Sequence, residues 1–472
     1  MIMKFLLVCF AVLTLAGGAA WGQVQQGDSL PPSYMVRNII LVGNKKTKNW
    51  IIERELSFKV GDSIPGERMQ ALLDRSRSNL WNTSLFTSVD LRFTSNDRNE
   101  ADIFVVVSER WYVWPQLIFE LAENNLNAWW EHKDFSRITY GVNINHKNFR
   151  GRNEEFNVNI QYGFTELLAL SYSVPYINKA RTLGMGLQAS YGQNHQVNYN
   201  SDHNKRLFYK NLDEVQQRFV KSGFQLSYRP KLQARHSFGL SYNQVEISDS
   251  IKARNPNYLP GDRKDEKFLI ANYTYVYDRR NNKAYAVKGI FFMAAFSQVG
   301  LGLLGSNVSQ SWTQLEVKKY WQLRKSLFFS VLGRTQCYFS GKQPYFIRQG
   351  LGYSDKTTIR SYELYVIDAQ QLAIAKAQLR YRFLSTSPRD LEFIPFSKFR
   401  KFYVNAYLGL YTDAGYAWDT GVYPNNFLAN DLQHGSGISL DIHSIYDLVF
   451  RAEYSINKFG EHGLFLHFVA PI

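Results

Sequence analysis

The sequence predicts a mainly β protein: a 16-stranded transmembrane antiparallel β-barrel preceded by one small α+β domain of order β-α-α-β-β. Three observations predict it. First, from Tyr112 onward apolar and polar residues alternate in short runs separated by turns. Phe156, Val158, Ile160 and Tyr162 interleave with Glu155, Asn157, Asn159 and Gln161. Leu448, Phe450, Ala452 and Tyr454 interleave with Arg451, Glu453 and Ser455, with Val449 the exception. Period two gives a strand one apolar and one polar face. Strands that are polar on one face throughout fit a cylinder with lipid outside and water inside. Second, no internal stretch reaches the ~18 unbroken apolar residues of a membrane helix. Third, residues 35–110 abandon the alternation and switch between strand and helix periods.

Composition narrows the function classes. An aromatic share of 15% fits interfacial girdles as well as plain strand propensity. The formal charge is +15, but Lys and Arg are spread along the chain, at Lys45 to Lys48, Arg279-Arg280 and Lys398 to Lys401. Nucleic-acid binding would need one basic stripe; basic rims facing anionic lipid heads fit the spread better. The nine His show no metal-ligand spacing, so no metal or other cofactor is expected. Gly300-Leu301-Gly302-Leu303-Leu304-Gly305 matches the dinucleotide fingerprint by letter but has no following helix, and reads as a tight turn. No Gly-x-Ser-x-Gly elbow occurs, and Glu53 and Glu55 read as a solvated helix face. An enzyme is not expected.

In chain order, residues 1–22 read as a signal peptide. Lys4 is the positive start, Phe5 to Leu15 the apolar stretch, and Ala20-Trp21-Gly22 the small-x-small site, with cleavage before Gln23. That leaves Cys337 as the one thiol, so no intrachain disulfide is expected. Residues 23–34 read as a linker. The α+β domain spans 35–110. Its first strand, Val36 to Val42, ends at Gly43-Asn44; Thr47 caps a helix carrying Trp50, Ile51, Ile52, Glu55 and Leu56. Gly61 closes that helix and Pro65 opens a second, with Met69, Leu72, Leu73, Ser76 and Leu80 on one face. Strands Ser88 to Phe93 and Asp102 to Val107 follow.

The barrel occupies 111–472. Its strands are expected at 112–122, 136–147, 154–163, 166–174, 183–194, 217–229, 236–248, 267–278, 287–299, 308–322, 326–339, 370–384, 403–417, 434–444, 446–457 and 462–471. The number is even, as a closed bacterial barrel needs. If the chain enters from the periplasm, the connections 195–216, 249–266 and 340–369 are external. The last joins the eleventh and twelfth strands.

Ile39, Gly43-Asn44, Thr47, Ile52, Arg54-Glu55-Leu56, Gly61, Leu80, Ser84-Leu85-Phe86, Val89, Val105 and Glu109-Arg110 together resemble a POTRA domain, a polypeptide-transport-associated module. Three barrel motifs resemble the BamA/TamA family of outer-membrane assembly barrels. They are Tyr277-Asp278-Arg279-Arg280-Asn281-Asn282 with Lys288-Gly289, Ile359-Arg360-Ser361-Tyr362, and Tyr411-Thr412-Asp413-Ala414-Gly415. Ser361 stands where the family carries glycine, and Gln378 where many relatives carry glutamate. Strand parity independently turns Gln378, Arg380, Arg382, Asn405, Gly409, Tyr411 and Asp413 inward. It turns Leu379, Tyr381, Phe383, Val404, Ala406, Leu408 and Leu410 toward lipid.

The resemblance implies that the long loop folds back into the lumen. Arg360 is then expected to reach Asp413, with Gln378 as an added acceptor and Tyr362 and Gly415 completing the lock. With an aqueous lumen screening the pair, its worth is expected at roughly 1 kcal/mol. The resemblance also implies a weak seam between the first and last strands, here Pro115, Leu117, Gly463, Leu466 and Pro471. The two prolines lack an N–H for the ladder. The implied function is assembly and insertion of outer-membrane proteins, without cofactor. Its partners would be unfolded outer-membrane clients, periplasmic chaperones, accessory lipoproteins and outer-membrane lipid, and no nucleic acid. The expected location is the bacterial outer membrane, with the POTRA domain in the periplasm. The alternative is a two-partner-secretion-like transporter exporting a soluble protein through the barrel. Such relatives usually carry two POTRA modules and a plug helix.

Overall fold

The computed structural model describes residues 33–121, 138–163, 165–211, 213–339, 343–387, 389–392 and 400–469. The expected signal peptide and Pro471 lie outside the described residues.

Apolar residues at strand and helix spacing build the first domain. β1 (Ser33–Val42), α1 (Asn49–Glu55), β2 (Ser63–Pro65), α2 (Gly66–Trp81), β3 (Phe86–Ser95) and β4 (Glu100–Glu109) follow in order. The three-residue β2 adds to the expected β-α-α-β-β series, and β1 begins within the stretch read as linker. The sheet order is β2-β1-β4-β3, with β1 and β4 parallel. Ile51, Ile52, Met69, Leu73, Leu80, Phe86, Ile103 and Val105 pack between the sheet and the two helices. Thr47 is not the helix cap: Lys48 holds that position without a side-chain bond. Thr47 is buried because its hydroxyl lies 2.9 Å from both the Tyr112 hydroxyl and the Asn148 amide, tying the domain to the barrel.

The barrel strands follow: β5 (Val113–Leu121), β6 (Ile138–Phe149), β7 (Glu154–Gly163), β8 (Glu166–Val174) and β9 (Leu183–Asn194). An external hairpin, β10 (Gln196–Asp202) and β11 (Lys205–Lys210), precedes β12 (Gln217–Lys231) and β13 (Ala234–Ile247). After the short helix α3 (Asp249–Arg254) come β14 (Asp265–Asp278), β15 (Gly289–Val299), β16 (Gln310–Arg324) and β17 (Leu327–Tyr338). The long loop holds the two-residue strands β18 (Gly350–Leu351) and β19 (Ile367–Asp368). Then come β20 (Gln371–Ser385), the two-residue pair β21 (Arg389–Asp390) and β22 (Lys401–Phe402), β23 (Val404–Trp418), β24 (Leu432–Ser444), β25 (Val449–Asn457) and β26 (His462–Val469).

Sixteen of these strands form one sheet running from β5 to β26, each antiparallel to the next. Its ends approach each other. Trp114 of β5 stacks on Tyr446, which precedes β25, with ring centroids 5.1 Å apart. Leu408, Leu410, Ile438 and Tyr454 face outward, and Tyr407, Asp413, Asp441 and Glu453 face inward and are buried. Ala406 departs from its expected lipid-facing position: a register shift at Arg382/Leu384 beside it leaves it buried. Among the described residues no helix is long and apolar enough to cross a membrane.

The periplasmic turns of the barrel hold the first domain in place. Glu55 is not a solvated residue. Arg229, near the end of β12, donates two hydrogen bonds to it, at 2.6 and 2.9 Å. Tyr176, from the turn after β8, donates a third at 3.2 Å. Arg54 donates to the carbonyls of Arg181 and Arg229, and the Lys48 amide to the Gly151 carbonyl. Arg110 donates to Asp447 at 2.8 Å. Asn82 bonds the backbone of Arg280 and Lys283 in the turn after β14. Contacts to five successive or opposed turns fix the domain across the periplasmic end of the cylinder.

Burial alone raises the Glu55 carboxyl, but the Arg229 and Arg54 guanidiniums outweigh it and hold it below the usual carboxylate range. A folded-state pKa below the unfolded one means the pair stabilises fully above the ordinary carboxylate value. That contribution is lost as pH falls through the depressed folded value. Acidification through this range is expected to increase hydrogen exchange along α1 in the native chain. Glu55→Gln should remove that dependence and lower stability by about 3 kcal/mol, because Arg229 is left buried without its partner. Thermal unfolding and exchange across the acid range check both; an unchanged acid response in the variant would count against this role.

Candidate functional site

The site is built from a loop too long for a surface turn, folded back into a wall that alternation makes polar. Residues 343–369 enter the barrel from its external end, stapled at their base where β18 pairs with β19. The turn Ile359-Arg360-Ser361-Tyr362 lies deepest. Arg360 Nε donates to Asp413 Oδ2 at 2.8 Å and Nη2 to Oδ1 at 2.5 Å, a forked contact on β23. Its backbone N–H donates to the same carboxylate at 3.2 Å. Nη1 donates to Glu453 of β25 at 3.1 Å, and the guanidinium lies 3.6 Å from the Tyr411 ring centre.

Two glycines make the room. A Cβ on Gly415 would sit 2.1 Å from Ile359 Cδ1. One on Gly435 of β24 would sit 2.4 Å from the Arg360 carbonyl oxygen. Ser361 adopts φ +75°, the left-handed conformation that its missing glycine would have taken at no steric cost. Its hydroxyl donates to the Ile456 carbonyl at 3.2 Å, and its own carbonyl accepts from Asn457 at 3.3 Å. Those bonds offset the backbone conformation. Tyr362 is buried, its ring 6.1 Å from Tyr365 and 6.3 Å from Phe459.

Gln378 is not the second acceptor. In the ladder it stands opposite Tyr411, while Lys376 stands opposite Asp413. Gln378 therefore donates to Ser439 at 3.1 Å, and Lys376 lies 3.5 Å from Asp413. Glu453 takes the place expected of Gln378. The same alternation that turns Asp413 inward also turns Glu453 inward, so it was open to the parity argument, but no motif pointed to it. The screening estimate also fails. The side chains of Arg360 and Asp413 are 11% and 0% exposed, so the pair is sheltered from the water expected to weaken it. Breaking a pair this buried costs about 3 kcal/mol or more.

Below the lock, a cavity of about 400 Å³ is bounded by Lys318, Arg380, Arg451, Glu453 and His467 among others. Its periplasmic floor is the turn 279–288. There Tyr285 donates to Asp441 at 2.7 Å and stacks on His443 at 5.3 Å. Above the lock, the tip of the β10–β11 hairpin folds over the loop. Asn204 donates to the Val366 carbonyl at 3.1 Å and accepts from the Leu428 amide, and Arg206 donates to the Gly352 and Tyr353 carbonyls. Arg348 and Ser201 meet on Asp368.

The seam residues fall at the two ends of the sheet. Pro115 and Leu117 project outward from β5, and Leu466 from β26, while Gly463 faces inward. Leu117 is 83% and Phe119 71% exposed, against 59% for Leu410 in the middle of the sheet. The outer side chains of β5 are thus covered less than those of an interior strand.

A lipid-facing cylinder filled by its own external loop, with a POTRA-like domain on its periplasmic turns, defines an outer-membrane barrel of the insertion and transport class. Residues 148–446 match the Omp85 superfamily domain, and residues 34–110 match the POTRA model, described as a surface antigen variable number repeat. The chain belongs to the Omp85 superfamily and resides in the bacterial outer membrane, its POTRA domain in the periplasm. No curated protein sequence matches it. Among solved structures it is similar to BamA from Haemophilus ducreyi lacking POTRA domains 1–3. The identity is 15% over 92% of this chain and 84% of that one, with a TM-score of 0.54. CdiB from Escherichia coli has 8% identity over 96% and 93%, TM-score 0.51. CdiB from Acinetobacter baumannii has 12% over 92% and 73%, TM-score 0.50. At such identities the likeness is one of fold.

Arg360→Gln and Gly435→Val are each expected to loosen the loop, the first by removing the fork and the second by pushing on the Arg360 carbonyl. In intact vesicles both should speed tryptic cleavage after Lys356 from outside. Cleavage as slow as in the native chain would show that the loop is held elsewhere.

Proposed function

We propose that this protein assists the folding and insertion of outer-membrane proteins. The POTRA domain receives extended client segments, and the seam between β5 and β26 templates client strands into the bilayer. The observation that carries the reading is the occupied lumen. The buried Arg360 lock, the hairpin over it, the turn 279–288 and the docked POTRA domain fill or cover the cylinder from end to end. A working surface at the sheet ends needs none of these to leave. Main-chain hydrogen bonding at a strand edge accepts many client sequences, which suits an assembly factor. Pro115 lacks a backbone donor on the first strand. Clients, chaperones and accessory lipoproteins are the partners this reading requires; it requires no cofactor and no catalytic residue.

The likeness to the two CdiB folds supports a second reading, export of a soluble protein through the pore. That route would have to displace the Arg360 loop and its buried pair for each passage. Two measurements separate the readings. A disulfide joining β5 to β26 should stop insertion of a client barrel into liposomes and be relieved by reductant; full activity in the locked form would sink the seam. Single-channel recording should give brief, small openings, whereas a large steady conductance would favour export.

A further inference from the structure

Glu453 offers its two carboxylate oxygens to two different parts of the molecule. Oε1 accepts from Arg360 of the long loop at 3.1 Å. Oε2 lies 3.1 Å from Nε2 of His467, on the last strand. The side chain of Glu453 is only 2% exposed, and that of His467, on the cavity wall beside it, 36%. The other charges facing it are Arg451 on its own strand, 3.9 Å away and itself forked onto Asp441, and Glu363 of the loop, 3.9 Å from His467. The lock and the last strand therefore share one buried anion. If the last strand moves off, the buried Glu453 carboxylate loses His467 and is held less firmly in the position from which it meets Arg360. If the loop withdraws, the converse holds. A buried carboxylate that loses one of its partners is less well compensated, so the two contacts are not independent.

We propose that Glu453 is a positioning residue that couples the lumenal loop to the last strand, with His467 as the strand's handle, so that loosening either one loosens the other. The functional meaning of this coupling, control of the seam by the loop, rests on the reading given under Proposed function; the coupling itself does not.

Hydrogen–deuterium exchange on the full chain in lipid nanodiscs tests it without any client. Arg360→Gln is expected to raise exchange about tenfold in residues 462–469, which Arg360 does not contact, as well as in its own loop. His467→Gln should raise exchange in residues 357–366, and the double variant should add little to either single. Glu453→Gln should reproduce both effects. Changes confined to the loop for Arg360→Gln and to β26 for His467→Gln, adding in the double variant, would overturn the proposal. Should Arg360→Gln fail to fold, the His467→Gln and Glu453→Gln pair gives the same comparison from the strand side. Coupling observed together with an active disulfide-locked seam would leave this inference standing and remove the seam function. Uncoupled exchange with an inactive locked seam would do the reverse.

Discussion

The arrangement depends on how a guanidinium is accommodated inside a cylinder. Arg360 cannot lie within the barrel unless carboxylates meet it, because burying an unpaired charge costs far more than a loop of this length can recover through packing. Asp413 meets it with a fork, Glu453 meets it from the other side, and the Tyr411 ring covers its face. The rest of the loop is placed by that anchor. Ile359 is carried into the notch at Gly415, Ser361 is bent into a left-handed conformation against Gly435, and Tyr362 is packed beside Phe459. The external hairpin then closes over a loop that is already fixed.

What could be read from the sequence follows from how local each feature is. Period-two alternation is a property of neighbouring residues, so all sixteen barrel strands were readable, their described ends falling within three residues of expectation. Parity placed Asp413 on the inner wall for the same reason. The partners of Arg360 were harder, because register between strands is not local. A register difference of two residues makes Lys376, and not Gln378, the neighbour of Asp413. Thr47 and Glu55 depart from expectation for a related reason. Each sits where a helix cap or a solvated face is the usual outcome in an isolated domain, and only the ends of β6 and β12, more than a hundred residues away, supply Asn148 and Arg229. Burial of the lock was also invisible, since a polar wall by itself does not say whether water or a loop will cover it.

Between lock and POTRA domain the interior is continuous. Tyr285 rises from a periplasmic turn to donate to Asp441; Asp441 accepts from Arg451; Arg451 lies beside Glu453. The same turn receives Asn82 on its other side. A single ten-residue connection thus touches the POTRA domain below and the polar wall above, in a position where most barrels carry a minimal hairpin.

That connection bears on how such proteins can be rebuilt or diversify. Asn82 reads the backbone of the turn, Glu55 reads Arg229 at the end of β12, and Arg110 reads Asp447 between β24 and β25. The module and the barrel's lower rim therefore form one matched surface, cut across by the domain boundary. A POTRA domain transplanted from a relative would arrive without its complementary turns. Working hybrids should need the rim exchanged with the module, and recombination within this superfamily should favour breakpoints in the membrane-spanning strands over the linker between the domains.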